Sequence, residues 1–157
     1  ITENGPYVIE YNSRFGDPET EVVLPLIEDD LAKIFLDIAR GSLATSTLHL
    51  KHNTAVCVVM ASKGYPDAYE SGKVISGLQS AESDAAMVFH AGTKTEDNRV
   101  VTSGGRVLAV TALGPEGGLA TAIQNAYATV HKIFFEGAQF RTDIGKKGLT
   151  TRTFSSH

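Results

Sequence analysis

The sequence predicts an α+β protein, and three observations carry that expectation. Apolar residues make up 42% of the 157 residues and charged residues 20%, the balance of an ordinary folded domain. Apolar residues at 27, 31, 34, 35 and 38 recur at helical spacing. Between residues 55 and 111, short apolar runs alternate with glycine-containing breaks, the pattern of successive strands. The formal charge is −4, from 14 basic and 18 acidic residues, which argues against nucleic acid as the main partner. The single cysteine excludes an internal disulfide and a cysteine-cluster metal site. No apolar run approaches the roughly 20 residues of a membrane helix, so a cytoplasmic protein is expected.

The chain opens on Ile1 and enters strand-like sequence within ten residues, which fits a piece with further sequence upstream or the processed N-terminus of a small protein, the former being the expectation. A strand is expected over 6–12, with Tyr7, Ile9 and Tyr11 on one face and Val8, Glu10 and Asn12 on the other. Gly16 permits a turn, Asp17 is placed to cap a short helix over 18–24, and Pro18 suits its first position. Pro25 breaks or restarts it. A longer helix is expected over 26–40. Its stripe is Ile27, Leu31, Ile34, Phe35 and Ile38; an Asp29–Lys33 pair supports it, and Gly41 closes it. The polar stretch 42–46 places a boundary between two parts, 1–44 and 45–157.

Beyond the boundary, 55–60 reads as a central strand, Gly64-Tyr65-Pro66 as a loop, and 73–75 as a short edge. Residues 86–91 read as a buried strand ending at Gly92. Strands 99–102 and 106–111 flank Ser103-Gly104-Gly105, the pattern of a hairpin. A second amphipathic helix is expected over 116–131, with Leu119, Ile123, Ala126, Tyr127 and Val130 on its apolar face. Phe134, Phe135 and Phe140 then mark a last packed segment, and the tail from Thr150 is polar.

Chemistry-bearing residues concentrate near the N-terminus. Glu10 and Asn12, two apart on a strand, offer hard oxygen donors suited to Mg²⁺, or form an ordinary wet strand face. Arg14 can present a planar fork to phosphate or carboxylate. Asp17, Glu19 and Glu21 crowd a helix N-terminus that would otherwise favour anions. That arrangement fits either a site holding a cation near a phosphate or simple helix capping. Elsewhere, Cys57 reads as a buried, inert thiol and His90 as a structural histidine. His49 and His52 lack a third zinc ligand at suitable spacing. Ser103-Gly104-Gly105 lacks the lysine of a phosphate loop. Lys146 and Lys147 read as a solvated face, and Arg141 with Asp143 as an interdomain bridge or a surface pair.

The run Glu10-Tyr11-Asn12-Ser13-Arg14-Phe15-Gly16-Asp17-Pro18-Glu19 resembles the signature of the phosphoribosylamine–glycine ligase family, members of the ATP-grasp superfamily. The likeness continues in order through Val22–Pro25, Gly64–Pro66, Phe89–Thr93, Val101–Val107, Ala126-Tyr127 and Arg141–Gly145. It covers nearly the whole chain and corresponds to the last third of such enzymes. The fold it implies is the closing strand and helices of an ATP-grasp core (1–44), then a mainly antiparallel β domain with a packed helix (45–157).

The reaction it implies joins glycine to 5-phosphoribosylamine through glycyl phosphate. ATP is consumed, and glycinamide ribonucleotide, ADP and phosphate are released in de novo purine synthesis. Glu10 and Asn12 match the family's Mg²⁺ (or Mn²⁺) ligands. Arg14 matches a residue that steadies the transferring phosphate or the acyl phosphate, and Asp17 and Glu19 fit the turn at the substrate end. Glu21 departs from the family's glutamine and is expected to be peripheral; Tyr11 replaces a phenylalanine. The implied partners are glycine, phosphoribosylamine, ATP and the missing N-terminal portion, in an enzyme expected to be monomeric when complete, with no nucleic acid or membrane. The fragment alone is expected to be inactive. The competing readings are another ATP-grasp carboxylate–amine ligase and a non-catalytic α+β interaction module.

Overall fold

A four-stranded antiparallel sheet in the order β2-β5-β1-β6 organises the molecule. Its strands are β1 (Asn53–Ser62), β2 (Ala86–His90), β5 (Arg106–Pro115) and β6 (Ala138–Gln139). The computed structural model describes residues 5, 7–8, 11–43, 47–81, 83 and 85–150. β1 and β5 pair along nearly their whole length, from Asn53↔Pro115 to Met60↔Leu108. The register then slips, so that Ala61 faces Arg106 and Val107 is the extra residue of a bulge.

Alternation assigns the two faces of this sheet. Val56, Val58 and Met60 of β1 lie beside Ala112, Val110 and Leu108 of β5, and all six are buried. Helix α4 (Leu119–Val130) covers that face with Ala122, Ala126 and Val130, all buried. Alanines at the contact let the helix approach closely; at Gly114 a Cβ would already stand 3.2 Å from that of Ala122. Phe135 and Ile133, just past α4, close the core at 1% and 5% exposure. Phe134, expected to be packed, is 68% exposed. Its backbone pairs with Ser76 in both directions (2.9 and 3.1 Å), which turns its side chain outward.

The expected hairpin across Ser103-Gly104-Gly105 does not form. Residues 99–102 form β4 (Arg99–Thr102), which pairs with β3 (Thr93–Glu96) in a separate two-stranded sheet. The turn between β3 and β4 is Asp97-Asn98, both at positive φ (48° and 59°), the geometry a two-residue hairpin needs. Ser103–Gly105 instead carries the chain from one sheet to the other. A Cβ on Gly92 would lie 2.6 Å from both the Gly104 Cα and the Arg106 carbonyl oxygen. The glycines therefore permit two backbones to cross. The short edge expected at 73–75 is present as a bridge from Val74 to Val101.

The N-terminal part differs more from expectation. Tyr7, Val8, Tyr11 and Asn12, placed on a strand, are exposed and lie outside the described strands; Pro6, Ile9 and Glu10 lie outside the described residues. A strand is held by a neighbouring strand, and none of the described strands pairs with these four residues. Helix α1 is short (Glu19–Val23) and its cap position is Pro18, without a side-chain cap bond. Asp17, expected to cap it, turns to Arg106 instead. A 3₁₀ turn, Leu24–Leu26, follows with Pro25 inside it.

Helix α2 (Leu31–Ala39) starts five residues later than the periodicity predicts. The reason is local: the Asp30 carboxylate accepts from the amides of Ala32 (2.9 Å) and Lys33 (3.2 Å), a true N-cap. Ile27 is extended and bridges to Leu50, so it leaves the stripe. Asp29 bonds the His49 backbone (2.6 Å) and ring (3.0 Å) rather than Lys33. The contact holds the Asp29 carboxyl below, and the His49 imidazole above, their usual ranges. No residue of α2 is buried. Gly41 follows at φ 66°, as a C-terminal glycine should. Ala44–Ser46 of the expected boundary and the tail beyond Thr150 lie outside the described residues.

Candidate functional site

The chemistry-bearing segment is a turn, residues 12–20, running into α1. Asn12, Arg14, Gly16, Glu19 and Thr20 line a depression of about 280 Å³ with Phe15 and Val23. Three of the residues singled out in the sequence, Asn12, Arg14 and Glu19, thus converge on one place. Glu10 lies outside the described residues. Asp17 does not line the depression.

Local forces shape the turn. The Gly16 carbonyl accepts from both the amide (3.1 Å) and the hydroxyl of Thr20, which starts the helix. A Cβ on Gly16 would collide with the Glu19 carboxylate, so glycine lets that side chain fold back over the turn. Arg14 donates from Nη1 to the Phe15 carbonyl (2.9 Å), which stiffens its guanidinium. The Phe15 ring lies 6.0 Å from that of Phe35 and ties the turn to α2.

Two contacts from β5 fix the turn to the main sheet. The Thr111 hydroxyl, fully buried, donates to the Glu21 carbonyl (2.7 Å). Arg106 donates from Nη1 to the Asp17 carbonyl (3.2 Å), and its Nη2 lies 3.3 Å from the Asp17 carboxylate. Sequence reading missed both residues. They are about 90 positions from their partners, and a contact at that distance has no periodic signature. Arg106 also lines a neighbouring groove of about 480 Å³ with Tyr65, Gln139, Phe140 and Arg141.

Glu21 was expected to be peripheral. Its Oε2 is instead buried and has no hydrogen-bond partner among the described residues. The Cys57 thiol is pushed up chiefly by burial, with the charges of Glu21 and Asp17 adding to the effect. Cys57 is half-buried and fits the inert reading. His90 Nδ1 lies 2.9 Å from the Thr93 hydroxyl. Arg141 and Asp143 form a two-pronged pair (2.9 and 2.7 Å) with both side chains exposed, so they are a surface pair.

Among the described residues no three His, Cys, Asp or Glu side chains group as a metal would require. The fit of Mg²⁺ therefore rests on donor chemistry: the Asn12 amide oxygen is a hard donor beside the depression, with Glu10 two residues before it.

A family model described as phosphoribosylglycinamide synthetase, C domain, matches residues 55–147, which contain the whole four-stranded sheet except the first two residues of β1. The chain belongs to that family. Phosphoribosylamine–glycine ligase of Synechocystis is 48% identical over 143 residues, covering 90% of this chain and 34% of that protein. The human trifunctional purine biosynthetic protein adenosine-3 is 46% identical over 150 residues, covering 95% of this chain and 15% of that one. The crystal structure of phosphoribosylamine–glycine ligase from Thermotoga maritima superposes with a TM-score of 0.71 at 36% identity. That match covers 90% of this chain and 34% of that one. The chain thus spans about a third of the length of the Synechocystis and Thermotoga ligases, and its antiparallel sheet with packed helices superposes on the Thermotoga structure.

Proposed function

We propose that this chain is the C-terminal part of an ATP-dependent ligase that joins glycine to 5-phosphoribosylamine. The reaction passes through glycyl phosphate and releases glycinamide ribonucleotide, ADP and phosphate. The observation that carries this reading is the convergence of Asn12, Arg14 and Glu19 on one depression, in a chain 48% identical to a protein of that name. Residues 1–44 close the ATP-grasp part and 45–157 form the C-terminal domain; the family match beginning at residue 55 supports that division.

In this reading Arg14 steadies the phosphate as glycine carboxylate takes it from ATP. Asp17 and Glu19 form the substrate end, where a carboxylate suits the glycine ammonium. Glu10 and Asn12 hold Mg²⁺ or Mn²⁺, which when bound screens the phosphate charge. The remaining chemistry is positioning of the two substrates. The rest of the polypeptide supplies the walls of the cleft and covers the exposed apolar residues of α2. The complete enzyme is a cytoplasmic monomer.

The test is an ADP-release assay. The full-length protein should show turnover dependent on both glycine and phosphoribosylamine, and residues 1–157 alone should show none. Arg14→Ala in the full-length protein should lower kcat roughly a hundredfold. Glu10→Ala should raise the Mg²⁺ needed for half-maximal rate. Near-normal rates for both variants would refute the assignment of the site.

A further inference from the structure

We propose that Arg106 is the positioning residue of the acidic turn, acting through Asp17. The inference rests on the functional reading above and adds to it a residue from the other end of the chain. Three acids, Asp17, Glu19 and Glu21, stand within five residues. Among the described residues, Arg106 is the cation that pairs with one of them. Arg14 is close in sequence, but its Nη1 is engaged on the Phe15 carbonyl. A cation fixed beside this turn offsets part of its negative charge, and Arg106 supplies one from outside the segment.

The way Arg106 is held suits that role. It sits at the register slip of β5, opposite Ala61, where the bulge re-aims the side chain. Its carbonyl accepts from the Gly92 amide (2.8 Å), at the point where the two backbones cross. The preceding Gly105 lies directly under the Tyr65 ring, with no room for a Cβ. The base of the side chain is therefore rigid. Its tip grips Asp17 at two points, the backbone carbonyl and the carboxylate. Both side chains are about two-fifths exposed (42% and 41%), so the pair adds little to stability. What it does fix is where Asp17 stands, and with what local charge, relative to Arg14 and Glu19.

The experiment is a double-mutant cycle in the full-length protein, reading kcat and KM for glycine. Arg106→Ala should lower kcat/KM roughly ten- to a hundredfold, and Arg106→Lys should recover part of the loss. Combined with Asp17→Asn, Arg106→Ala should add clearly less than its loss in the otherwise unchanged protein, because the carboxylate contact is already gone and only the bond to the Asp17 carbonyl remains to be lost. Unchanged circular dichroism and urea midpoint would separate this effect from misfolding. If Arg106→Ala does damage the fold, the Lys variant in the same cycle carries the test. Independently of turnover, the Thr20 amide should exchange faster with solvent in Arg106→Ala. Full activity of Arg106→Ala beside an impaired Asp17→Asn, or strictly additive losses, would overturn the inference alone. Full activity of Asp17→Asn would overturn the site reading and this inference with it.

Discussion

Glu21 is the side chain whose environment least suits its chemistry. Its Oε2 is buried with no partner among the described residues, which is costly because the water lost from a carboxylate oxygen is not replaced. An amide of the same shape is cheaper to bury. Glu21→Gln is therefore expected to raise stability by about 1 kcal/mol, read as a higher urea midpoint. A lower midpoint would mean that the carboxylate has found a partner in solution. The residues of the candidate site were legible as residue types: Asn12, Arg14 and Glu19 were singled out in the sequence and share one depression. The direction of each side chain was not legible. Asp17 has the composition of a helix cap, yet it is claimed by an arginine 89 residues away. Local propensity and a tertiary ion pair competed for one carboxylate, and the ion pair won.

At the scale of elements, the long buried strands and α4 were readable because their apolar patterns are long and regular. The failures came where two arrangements share one local pattern. Strands flanking Ser103-Gly104-Gly105 suit a hairpin, but they also suit a crossing between two sheets. The Asp97-Asn98 pair supplied the real turn, and the glycines served close approach instead. Gly92→Ala tests this directly. Its Cβ would press on the Gly104 Cα and the Arg106 carbonyl at 2.6 Å, both backbone atoms that cannot move aside cheaply. The substitution is expected to cost about 1–3 kcal/mol, measured by denaturant unfolding, and to weaken the Arg106 grip on Asp17. A neutral result would mean that the crossing is looser than its geometry implies.

For the whole molecule, the distribution of burial is uneven. The sheet and α4 hold a continuous core, whereas α2 buries none of its residues and leaves Phe35, Leu36 and Ile38 about half exposed. Leu43, Leu48 and Leu50 extend the same apolar character. If the rest of the proposed ligase covers this region, Ile38→Asp should cost residues 1–157 little but destabilise the full-length protein by about 2 kcal/mol. Parallel unfolding of the two forms measures it, and equal effects would show that α2 stays uncovered. By itself the sequence determined the long strands of the main sheet, helix α4, the glycine and proline breaks around them and the family phrases they carry, because these depend on neighbours within a few residues. Only the tertiary structure decided which strands pair, which carboxylates are neutralised or buried, and that Arg106 belongs to the turn at Asp17. Those outcomes depend on groups some 90 residues apart meeting in space, and no local pattern encodes such a meeting.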